Sequence, residues 1–171
     1  FYLASWGMYR GSSFLLQKDY KVHIPVVKII MKSKYSPLVG ITAEELTKEE
    51  NLALLEEVSE GIRKAYADEL PSFDGIINNA TDTLVTKILL GTIGCVPAYD
   101  RYYVQAVKQY GISTGIFNKE SVRDVAKYYL SYKDDFESVR AELSTHGAEY
   151  PAMKLMDMCM WQVAFEADEK R

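Results

Sequence analysis

Apolar residues recur every three or four positions along most of this chain, the period of a helix with one buried face. Leu55, Val58, Ile62 and Ala65–Tyr66 form one such stripe. Leu84, Val85, Ile88 and Leu89 form a second, and Tyr99, Tyr103, Ala106 and Tyr110 a third, with Asp100, Val104 and Val107 in the stripe beside it. Val122, Val125, Ala126, Tyr129 and Leu130 continue into Phe136, Val139 and Leu143 across an expected kink at Ser131–Asp134. In the last helix the buried stripe is expected to be Leu155, Met156, Cys159, Met160 and Val163, with Asp157 on the other side near Trp161. Phe1–Tyr9 is apolar nearly all round and reads as a buried helix. Val22–Met31 is rich in β-branched residues, which suits a strand. With no partner strand in evidence, a helix starting near Pro25 is favoured.

Punctuation between the stripes sets the boundaries. Gly11, Ser12 and Ser13 break the first segment, and Ser36-Pro37 with Gly40 marks a turn. Thr42 with Glu45 and Thr47 with Glu50 make two tandem capping boxes, which predict a short helix and then a long one to about Glu69. Pro71–Gly75 is a loop and Ile76–Ala80 a short turn. Thr81 is an N-cap, with Asp82 in the first turn where the helix dipole favours an acid. Gly91 and Gly94 stop that helix, and Pro97 opens the next. Asn118 caps a further helix after the linker Gly111–Phe117, Thr145-His-Gly ends it, and Pro151 starts the last one. The expected fold is all-α: residues 1–171 form a compact single-domain bundle of six to eight helices, with Thr81–Tyr110 as a central helical hairpin.

At 171 residues the chain has room for a substantial core. It opens on FYLASWGMY without an initiator Met, so the start is expected to be trimmed. No run of 18 apolar residues predicts a membrane helix, and no secretory signal is recognisable. Two distant cysteines, Cys95 and Cys159, read as free thiols and suit the reducing cytoplasm. The net charge of −4 argues against a general grip on nucleic acid, although it conceals an asymmetry. Residues 1–40 carry six Lys or Arg against one Asp, whereas residues 41–75 carry three against ten acids; both read as solvated helix faces that attract each other across the fold, with a basic surface for phosphate contact as the alternative. His23 and His146, the two histidines, have no Cys, His or carboxylate at ligand spacing and are read as surface residues. No metal site, phosphate loop or catalytic triad is expected, and no cofactor. Glu56, Glu57 and Glu60 read as a solvated face.

Chemistry-bearing residues gather around one place. Asp100 lies at a helix start, flanked by Tyr99 and Arg101, with Tyr103 one turn on. It is either a carboxylate satisfied by backbone N–H groups or a functional acid at the mouth of a cleft. Trp6 is a stacking platform or a core residue, and Arg10 with Ser12 and Ser13 is an anion site or a plain turn. Asn78 and Asn79 would line a cleft near Thr81. The helix, the Gly-containing turn and then Val96, Pro97 and Asp100 opening another helix resemble the active-site segment of helix-hairpin-helix DNA glycosylases. In that family an Asp after a hydrophobic-Pro pair helps to expel a damaged base. The chain departs from the family in having one extra residue between Pro and Asp. LLGTIGCVPA also stands where the family has L-P-G-[VI]-G-x-[KR], so a lysine nucleophile is not implied there. The same segment, together with SWGMYRGSSFLL, resembles uncharacterised bacterial helical proteins, which carry no activity across.

Two functions compete on these residues. One is a non-enzymatic intracellular helical protein that binds a small ligand or a protein partner. The other, implied by the resemblance, is a glycosylase-like enzyme with Asp100 as catalytic carboxylate. In that case Arg101 and Lys87 would touch phosphates, Tyr99 and Tyr103 would pack on the base, and nucleic acid would be the partner. The chain as read leaves open whether it is an enzyme.

Overall fold

The computed structural model describes the chain except residues 11, 12, 14, 17, 70–79, 145–148 and 171. The described residues are mostly helical and contain no strand. They form α1 (Tyr2–Ser5), a 3₁₀ turn (Tyr20–His23), α2 (Ile24–Ile30), a second 3₁₀ stretch (Ser33–Leu38), α3 (Ala43–Leu46) and α4 (Glu49–Glu69). Then come α5 (Asp82–Thr92), α6 (Arg101–Gln109), α7 (Lys119–Ser131), α8 (Lys133–Leu143) and α9 (Ala152–Glu169). None of the described helices is long and apolar enough to cross a membrane.

The stripes find one another in a single core. Leu52, Leu55, Val58, Ile62 and Tyr66 of α4 are buried with Leu84, Val85 and Leu89 of α5, Tyr103, Ala106 and Val107 of α6, and Val122, Val125 and Ala126 of α7. Met153, Met156 and Met160 complete it from α9. Removing each such aliphatic side chain from water contributes about 1.5–3 kcal/mol, which outweighs any single polar contact on the surface. α6 lies along α9, α2 and the Ser33–Leu38 stretch pack on α4, and α3 packs on α7. The acidic α3–α4 surface meets cations from elsewhere: Glu57 pairs with Lys34, Glu49 with Lys119 and Arg123, and Glu44 with Lys133. These pairs are exposed, so they add little individually to stability.

Several boundaries follow the local signals. Thr42, Thr81 and Asn118 each accept a backbone N–H three residues on, from Glu45, Leu84 and Ser121. Pro25 sits in the first turn of α2, where its missing N–H costs nothing. The Ser131–Asp134 kink is a break, at Tyr132, between α7 and α8.

Others are corrected. Phe1–Tyr9 is not a buried helix: α1 is one turn long, buries no residue, and leaves Phe1 fully exposed. Thr47 does not cap α4; its hydroxyl instead donates back to the Glu44 carbonyl and closes α3. Gly91 does not stop α5 but lies inside it, because α1 docks there and a Cβ at Gly91 would overlap the Tyr2 ring. The stop is Gly94, at φ +75°, whose N–H returns to the Leu89 carbonyl. Pro97 does not open a helix, since α6 begins four residues later. On α9, Cys159 is exposed and Val163 half-buried, while Asp157 is in the core. The Pro71–Gly75 loop, Asn78, Asn79 and His146 lie outside the described residues.

Candidate ligand site

The site begins with the irregular, non-helical connection Ile93–Asp100. This stretch is buried, so its backbone polar groups need partners that helix or sheet would otherwise supply. Side chains supply them. The Ala98 N–H donates to Asp157 Oδ1 of α9 (2.9 Å) and the Tyr99 N–H to Thr86 Oγ1 of α5 (2.9 Å). Thr83 Oγ1 donates to the Tyr99 carbonyl (2.8 Å). The Tyr99 hydroxyl pairs with Ser121 Oγ of α7 (3.0 Å), and its ring packs on Tyr103 and Phe117. Tyr99 and Tyr103 are therefore core pegs that fix this segment; they do not line a cleft.

So held, the connection ends at Asp100, the N-cap of α6, whose Oδ1 accepts the Tyr103 N–H (3.2 Å). Its other oxygen faces Lys87 Nζ of α5 at 3.5 Å. Both side chains are mostly withdrawn from water, at 7% exposure for Lys87 and 15% for Asp100. Lys87 Nζ also lies 4.9 Å from the Trp6 ring centroid, within cation–π range, and 3.5 Å from the Trp6 carbonyl. Lys154 Nζ of α9 lies 5.2 Å from the same ring and is paired with Asp157 (3.1 Å). Trp6 is thus held by two ammonium groups, each matched to its own carboxylate.

Around this array lies an open hollow of about 530 Å³, lined by Ser5, Trp6, Gly7, Arg10, Lys87, Asp100, Arg101, Tyr102 and Trp161. Five of the candidate residues read from the sequence meet here: Trp6, Arg10, Lys87, Asp100 and Arg101. Arg101 stacks over Tyr102 (4.5 Å) and pairs with Asp168 (3.1 Å).

On the other side of Trp6 and Trp161 is a second opening, a trough of about 630 Å³ between α9 and the α7–α8 corner. Tyr128, Tyr132, Phe136, Val139, Leu143, Leu155 and Met158 make its lining mostly apolar, with Asp135 of α8 and Lys154, Asp157 and Gln162 of α9 as its polar members. The trough exists because α8 carries too few apolar positions to seal itself against α9. No described residue of α8 is fully buried, and its anchors are Phe136 stacked on Tyr129 (4.6 Å) and the Tyr129 hydroxyl donating to Glu137 (2.7 Å). Partial desolvation against the trough wall pushes up the Cys159 thiol, although the residue is exposed; Cys95, sealed in the core, is pushed up to about 12.

Sequence reading missed Lys154, Asp157, Trp161 and the whole trough. Asp157 carried a usable signal, since an acid within the Leu155–Met160 apolar run demands a partner. His23 is also not a surface residue. It is half-buried between the hydroxyls of Tyr9 (2.5 Å from Nε2) and Tyr66 (2.6 Å from Nδ1), tying the N-terminal segment to α4. Among the described residues no group of His, Cys, Asp or Glu is arranged to hold a metal ion.

No family model matches the chain, and neither a curated protein nor a solved structure gives a significant match.

Proposed function

We propose that this all-α protein is a non-enzymatic binding protein that holds a small, largely apolar molecule in the trough between α9 and the α7–α8 corner. The observation that carries this reading is the trough itself. About 630 Å³ of open, aromatic-lined space falls in the range of small-molecule sites, and its lining includes a few polar groups, Asp135, Lys154, Asp157 and Gln162, as such sites require. The two free thiols suit a cytoplasmic setting, and the resemblance of SWGMYRGSSFLL suggests a bacterial one. The chain's two tryptophans, Trp6 and Trp161, both line the trough, so intrinsic fluorescence reports on it directly. Titration with decanol is expected to change that emission saturably. Val139→Asp, a change at a half-exposed wall position, is expected to abolish the response while leaving the far-UV circular dichroism intact. An unchanged response in the variant would refute the trough as the site.

A second reading keeps Asp100 as a reacting carboxylate of a glycosylase-like enzyme. It is favoured by one observation: this acid lines an open hollow shared with Arg10, Lys87 and Arg101. It predicts salt-sensitive binding of duplex or single-stranded DNA, because contacts to phosphate release counterions. A mobility-shift assay at low salt that detects no complex would remove it.

A further inference from the structure

We infer that the trough and the charged hollow are the two halves of one site, and that its ligand is an apolar molecule carrying a single anionic group, a carboxylate. This rests on the trough reading above and adds the identity of the head group. The two spaces share Trp6 and Trp161, so a molecule lying in the trough reaches the hollow by passing those rings. The charges in the hollow are unequal. Lys87 is matched by Asp100, and Arg101 by Asp168. Arg10 folds back over Gly7 and, among the described residues, no carboxylate pairs with it. Lys154, on the trough side of Trp6, is already matched by Asp157. One uncompensated guanidinium beside an aromatic wall suits one carboxylate, which a planar fork of N–H donors binds in bidentate fashion. A cationic head placed in the hollow would face Arg10 with like charge, the exposed Asp135 carboxylate lining the trough and not the hollow, and a neutral head would leave the guanidinium to water.

The test compares three probes with one ten-carbon tail, decanoate, decanol and decyltrimethylammonium. Each is followed by tryptophan emission at pH 7.5, at concentrations that leave the far-UV circular dichroism unchanged. Decanoate is expected to bind about tenfold more tightly than decanol, the size of one charge-assisted contact, and the ammonium probe more weakly than either. Added salt is expected to narrow the decanoate preference, and Arg10→Ala to bring the decanoate-to-decanol ratio close to one. Arg10 is exposed, so a folded variant is expected; the salt series on the unaltered protein tests the same point independently. Equal affinity for decanoate and decanol, or a preference indifferent to both salt and Arg10→Ala, would overturn the head-group assignment and leave the trough standing. No response to any probe would overturn both.

Discussion

Asp157 is the residue whose replacement most sharply separates packing from charge. It is 4% exposed in the middle of α9 and accepts two hydrogen bonds, one from the Ala98 N–H (2.9 Å) and one from Lys154 Nζ (3.1 Å). The first ties the Ile93–Asp100 connection to α9, and that connection positions Asp100. Asp157→Ala leaves the buried Ala98 N–H without an acceptor and Lys154 without its carboxylate. A hydrogen bond to a charged group contributes about 1.5–3 kcal/mol, and Lys154, partly solvated, adds only a fraction of one. The expected loss is about 2–3 kcal/mol, or roughly 5–10 °C in Tm for a domain of this size. Asp157→Asn keeps an oxygen for the Ala98 N–H and removes a buried charge, so its expected cost is under about 1 kcal/mol. The pH dependence sharpens the comparison. Desolvation holds the Asp157 carboxyl above its ordinary value, against the opposing pull of Lys154 and the Ala98 N–H. The folded state therefore takes up this proton more readily than the unfolded state. The resulting stabilisation is complete below the unfolded pKa and is lost as pH rises through the folded pKa. Relative to the unaltered protein, Asp157→Asn should fare better at neutral pH than in acid. Urea midpoints by circular dichroism from pH 4 to 7.5 measure this. An Asn variant as unstable as the Ala variant at neutral pH would refute the argument, because the ion pair and not the backbone contact would then hold the connection.

Other substitutions probe the same framework. Gly94→Ala forces a left-handed residue to carry a Cβ that would lie 2.6 Å from Pro151 Cγ; strain and displacement together should cost about 2–4 kcal/mol in thermal melts. Tyr103→Phe should be neutral or stabilising by up to about 1 kcal/mol in urea unfolding, because its buried hydroxyl has no hydrogen-bond partner among the described residues. Tyr99→Phe, which breaks the contact to Ser121, should instead cost about 1 kcal/mol in the same assay. Burial holds the His23 imidazole below its ordinary value, so the unfolded chain takes up that proton first as pH falls. The stability it contributes is full above about pH 6.5 and is lost as pH falls through the folded value, and His23→Gln should flatten the urea midpoint between pH 7 and 5.

The helices with regular apolar stripes and oxygen-bearing caps were legible from the chain because those signals are local. Thr42, Thr81 and Asn118 needed nothing beyond their own next turn. What failed depends on distant partners. Gly91 reads as a helix stop in isolation, and only the docking of Tyr2 shows why glycine stands there. Pro97 reads as a helix start, but the connection stays non-helical, with Asp157, Thr86 and Thr83 satisfying its backbone. The cluster around Asp100 was half legible. Arg101 adjoins it in sequence and the glycosylase resemblance groups Lys87 with it, whereas Trp6 and Arg10 stand apart in the chain and only the fold joins them to the same hollow. The trough was illegible, since it arises from what α8 lacks, and an incomplete apolar face looks from sequence like an ordinary amphipathic helix.

The most direct measurement is a nuclear magnetic resonance titration of the two tryptophan indole N–H signals with decanol. Both rings border the trough, so both signals should move together and fit a single dissociation constant. If the indole signals stay fixed while decanol perturbs resonances elsewhere, ligand binding in the trough is contradicted.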